Sequence, residues 1–84
     1  MAQIAGIRVT DSDAWWIVDQ LRTVGRADDA TAAFALERGI IDDEPVDWLT
    51  PNQQQAIMLV LSKAPESLVP LRRKLARDHL RRSS

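Results

Sequence analysis

Apolar residues recur along this chain every three or four positions, and the residues that stop a helix fall between those runs. That rhythm leaves little room for anything but helices. Ala14, Ile17, Val18, Leu21 and Val24 form the first stripe, starting after Thr10 or Asp11, either of which can accept hydrogen bonds from the free N–H groups of a first turn. Asp11 and Asp13 suit the positive end of the helix dipole, and Gly25 is the expected stop. A second helix is predicted after Arg26, capped by Asp28 or Asp29 and running through Arg38. Its inward residues would be Ala30, Ala33, Phe34 and Ala35 or Leu36, with small alanines allowing a neighbour close. Gly39 followed by Ile40 reads as a left-handed terminus.

The third helix has the clearest start. Thr50-Pro51-Asn52-Gln53 places a hydroxyl at the cap, proline at the first helical position and glutamine where it can return a hydrogen bond. Ala56, Ile57, Val60 and Leu61 supply its inner face, widened by Met58 and Leu59, and Ala64-Pro65 breaks it. Ser67 is the expected cap of a fourth helix with Leu68, Leu71, Leu75 and His79 inward. The predicted class is therefore all-α: a compact four-helix domain, with two helical hairpins as one possible grouping and a short extended N-terminal arm. The divisions expected are an arm over 1–9, one helical domain over 10–82 and a frayed tail at 83–84. The arm, with Ile4, Ile7 and Val9 apolar, would pack across the bundle or pair with a partner chain.

Eighty-four residues make one small domain, which buries only about 60 to 65% of its unfolded surface and is held by roughly 4 to 13 kcal/mol. Without cysteine there is neither a disulfide framework nor a thiolate metal site. No apolar run approaches a membrane span, and Met1 to Val9 lacks the pattern of a secretory signal, so a cytoplasmic protein is expected. Enzymatic chemistry is not expected either. His79 is the one imidazole, there is no tyrosine, and Ser12, Ser62 and Ser67 all lack a nucleophile-elbow setting. Gly6, Gly25 and Gly39 stand alone and make no phosphate loop. No cofactor, metal or small-molecule substrate is predicted.

The net charge of −1 conceals a division. Met1 to Ser62 holds ten acidic and four basic residues, whereas Lys63 to Ser84 holds seven basic and two acidic. Asp42, Asp43, Glu44 and Asp47 crowd the segment joining the second and third helices. They lack the glycine turn and distal glutamate of a calcium-binding loop and read as an acidic contact surface. In the last helix Arg73, Lys74, Arg77 and Arg81 fall within about 100° of one another, opposite Leu71 and Leu75, with Arg72 and Arg82 flanking. Such a face suits an acidic protein surface, including Asp42 to Asp47 of another copy, or nucleic-acid phosphate. A membrane surface is disfavoured because the apolar side carries no aromatic.

Trp15 and Trp16 are adjacent, so a helix turns them about 100° apart and both cannot face one core centre. Trp15, on the flank of the stripe of Ala14, Val18 and Leu21, and Trp16, pointing nearly away from it, are the candidate partner-binding aromatics, and the alternative is that the arm or the segment near Trp48 covers Trp16. Leu49-Thr50-Pro51-Asn52-Gln53 with Ala56, Ile57 and Leu61 resembles the opening helix of LuxR-type and sigma-factor helix-turn-helix domains. The likeness ends at Leu61, since the following turn lacks its glycine and Ala64-Pro65 and Pro70 interrupt what would come next. What is shared is capping chemistry. The expected function is a small non-enzymatic protein-protein interaction or regulatory module, self-associating in its simplest form. The alternative is a nucleic-acid-binding accessory factor using the basic C-terminal helix.

Overall fold

Thr10 accepts a hydrogen bond at Oγ1 from the Asp13 N–H at 3.1 Å, so helix α1 (Asp11–Val24) starts at the predicted cap. It ends at Gly25, whose φ of 75° allows its N–H to donate to the Leu21 carbonyl at 3.1 Å. Ala14, Ile17, Val18 and Leu21 are buried as the stripe requires, while Val24 is exposed. This computed structural model describes residues 1–83, with side chains through Arg81.

Helix α2 (Ala27–Asp42) departs from the sequence expectation at both ends. Its cap position is Arg26, and Asp29 acts from inside the first turn: Oδ2 accepts from the Arg26 backbone N–H at 3.3 Å and from its Nε at 3.0 Å. Asp29 is only 1% exposed, a burial that the guanidinium and the helix dipole together make tolerable. Its Oδ1 is buried with no hydrogen-bond partner among the described residues, which lowers the net gain from the cap. At the other end the helix does not stop at Gly39. It continues to Asp42 and reverses at Asp43, with φ 54°, where the Glu44 N–H donates to the Gly39 carbonyl at 3.0 Å.

Gly39 is required for another reason. A Cβ there would lie 2.2 Å from Val46 Cγ2 and 3.1 Å from the Glu44 carbonyl oxygen. The chain after α2 folds back onto the helix at its narrowest point. Ala32, Ala33, Ala35 and Leu36 are buried on the inner side, so the small-residue face is real. Ala30 and Phe34, expected inward, are exposed because the buried stripe turns past them.

Helix α3 (Pro51–Val60) has the reciprocal cap foreseen from sequence. Thr50 Oγ1 accepts from the Gln53 N–H at 3.2 Å, and Gln53 Oε1 accepts from the Thr50 N–H at 2.9 Å. A 3₁₀ turn over Leu61–Lys63 tightens its end. Helix α4 (Val69–Ser83) follows a second such turn over Glu66–Leu68, so Ser67 is not its cap. Pro70 sits in the first turn of α4, where no intrahelical bond is lost. Leu68, Leu71 and Leu75 are buried, but His79 is exposed, at the edge of a crevice that α4 forms with Gln54, Gln55 and Met58 of α3. α4 runs through Ser83, and Ser84 of the expected frayed tail lies outside the described residues.

The N-terminal arm is a hairpin. Strands β1 (Ala2–Ile4) and β2 (Ile7–Val9) pair antiparallel around Ala5 and Gly6, both with positive φ as a two-residue turn demands. Val46 joins β1 from the other side: its N–H donates to the Gln3 carbonyl at 2.8 Å, and its carbonyl accepts from the Ala5 N–H at 3.0 Å. Ile4, Val9 and Val46 are thereby drawn into one core with α1 to α4. α1 packs along α2 and α4 packs on α3, while α3 packs also on α1 and α2, so the helices share one core. No helix among the described residues is long and apolar enough to cross a membrane.

Alanine is the better helix former, yet Gly39→Ala is expected to cost about 1–3 kcal/mol in urea denaturation, because branched Val46 cannot yield. The penalty should shrink when Val46→Ala removes Cγ2. Equal penalties in both backgrounds would show that this contact is not its source.

Candidate interaction surface

The surface begins with the pitch of α2. Phe34, Arg38 and Ile41 are spaced i, i+4, i+7, so they share the helix face turned away from the buried alanines. Phe34 is 61% exposed and Ile41 67%. Gly39 then lets the return segment lie against the helix, and that segment brings Pro45 and Trp48 beside Phe34. Together with Arg38 they border a recess of about 270 Å³. Trp48 is 61% exposed.

Arg38 stitches this face. Its guanidinium lies over the Phe34 ring, 5.9 Å from the centroid, and its Nε is 3.6 Å from Asp42 Oδ2. Asp42, Asp43, Glu44 and Asp47 are all exposed around the recess or just beyond it. Asp42 has Arg38, while Asp43, Glu44 and Asp47 have no side-chain partner among the described residues. No three His, Cys, Asp or Glu side chains among those residues group closely enough to hold a metal ion. Of the four acids, Asp42 and Glu44 border the recess.

The predicted basic face lies elsewhere, on α4, which packs on α3 and β2. Arg73 and Arg77 are exposed and unpaired among the described residues, as is Arg72. Lys74 is half-buried and bonds Asp78 at 3.2 Å within the same helix. Arg81 is exposed and already engaged. Leu80, 68% exposed, stands on the stripe of Arg73 and Arg77. Ion pairs among the described residues join Met1 to Asp11, Arg22 to Glu37, Arg26 to Asp29, Arg38 to Asp42 and Lys74 to Asp78, and none of these joins the two charge sets.

Trp15 and Trp16 are both half-buried and packed against the core, so Trp16 does not stand clear of the protein. The widely exposed indole is Trp48. Sequence reasoning missed Phe34 because it was assigned inward, and Ile41 because it lay beyond the expected helix end at Gly39. The available signal was their i, i+7 spacing on the side opposite the small alanines. No protein-family model matches this chain, and no curated protein or solved structure was found to be similar to it.

Trp16→Ala is expected to lower stability by about 1–3 kcal/mol through lost packing, and Trp48→Ala to change it by less than about 0.5 kcal/mol. Thermal and urea unfolding of the two variants side by side would check the contrast. The remaining fluorescence of Trp48→Phe should be less open to acrylamide quenching than that of the unmodified protein.

Proposed function

We propose that this chain is a non-enzymatic protein-interaction module of the cytoplasm, acting through the face built by Phe34, Arg38, Pro45 and Trp48. The observation that carries the reading is two exposed aromatic rings bordering one recess, with the carboxylates of Asp42, paired to Arg38, and Glu44 at its edge. Aromatic side chains contribute much contact area for little lost rotamer freedom, and a rim of one charge selects and steers the partner. The partner expected is a protein with an apolar projection flanked by cations, a second copy of this chain included. No cofactor or small-molecule substrate enters this reading.

A second reading has its own support. Arg72, Arg73 and Arg77 are exposed and unpaired among the described residues, an arrangement able to hold nucleic-acid phosphate. The acidic remainder of the chain opposes it. If it holds, DNA or RNA is retarded at low salt and released when Arg73, Lys74 and Arg77 are replaced together. No retardation at low salt removes it.

For the first reading, tagged protein and its Phe34→Ala/Trp48→Ala variant are compared as baits in an extract of the source organism. Both substitutions fall on exposed side chains, so the variant should unfold near the unmodified protein while losing its specific captures. Identical captures by the two baits would count against this face.

A further inference from the structure

The recess of α2 needs an occupant, and this chain carries one of matching chemistry. On α4, Arg73, Arg77 and Leu80 stand in one exposed stripe, an apolar side chain beside two cations, spanning about 10 Å of helix. At the recess Glu44 offers a carboxylate beside Phe34 and Trp48, and Asp43 and Asp47 lie on the same exposed segment one and three positions away. None of these five charged side chains has a partner within the fold among the described residues. A chain's own α4 is poorly placed to supply them. The recess opens on the outer face of α2, whereas α4 joins the core from the side of α3 and β2.

We infer that the recess of one copy receives α4 of a second copy, with Leu80 seated against Phe34 and Trp48 and Arg73 and Arg77 facing the acidic segment. This deepens the interaction reading above by naming its partner. Each copy has one recess and one α4, so a twofold arrangement makes the contact twice and closes the assembly. The split of ten acidic and four basic residues before Lys63 against seven basic and two acidic after it becomes attraction between molecules laid recess to α4.

Sedimentation equilibrium of the full chain across protein concentration and salt tests this, in parallel with two charge reversals, Glu44→Arg/Asp47→Arg and Arg73→Glu/Arg77→Glu. The unmodified protein should approach twice its 9.4 kDa mass at low salt and dissociate as salt rises. Each reversed variant alone opposes like charges and should associate about tenfold or more weakly. Mixing the two variants should restore association, since each reversed surface then meets its complement, and that recovery also proves both are folded. Trp48→Ala should weaken the unmodified assembly at every salt concentration. A wild-type chain that stays at 9.4 kDa at high concentration and low salt overturns the inference. So does a mixture no more associated than its components. If the chain is monomeric yet Phe34→Ala/Trp48→Ala still loses its captures from the extract, the second copy is excluded as the partner while the interaction face stands. If those captures persist as well, both readings fall.

Discussion

The approach of Val46 to Gly39 is the contact on which the arrangement of the exposed face depends. Helix α2 could have ended at its glycine, and a chain leaving there would have carried Pro45 and Trp48 away. Instead the helix runs another turn, reverses at Asp43, and the missing side chain at Gly39 leaves room for the returning segment to lie flat. A void of one methyl group sets where the second aromatic ring stands. Close packing of this kind tolerates little error, because Val46 is branched at Cβ and its other neighbours are core residues.

How much of this was legible in the sequence depends on whether the deciding interaction is local. The caps at Thr10 and Thr50 need only residues three positions ahead, so hydroxyl, proline and glutamine announce them directly. Gly25 is the same sort of case. Gly39 looks identical on paper, yet its role is tertiary: what matters is a valine seven positions on, arriving from outside the helix. Local chemistry ended α2 at an aspartate in the left-handed conformation, a weaker signal than glycine. The arm's self-pairing was missed for a related reason, since Ala5-Gly6 is less explicit than the Asn-Gly that usually marks such a turn.

The side-chain assignments failed where large apolar residues were taken to be core residues. Phe34 follows two buried alanines and precedes another, and its ring points the other way. The core of this protein is made largely from aliphatic side chains and alanines, which pack at short range and leave aromatic residues at the margin. Trp15 and Trp16 line that margin and Trp48 lies beyond it. The segregation of charge, by contrast, was readable at once from the order of residues. The structure adds that the described ion pairs leave the two sets apart, so the near-zero net charge is an average over two unlike surfaces.

The hairpin has a part in this beyond covering the core. Val46 exchanges backbone hydrogen bonds with Gln3 and Ala5, so the wall of the recess that carries Trp48 is tied to strands more than forty residues earlier in the chain. Order in one is order in the other. The Ala5 and Val46 amides can exchange with solvent only when this pairing opens, so their exchange reports on the recess wall and the hairpin together. The first nine residues thus help to fix where Pro45 and Trp48 stand, although none of them lines the recess.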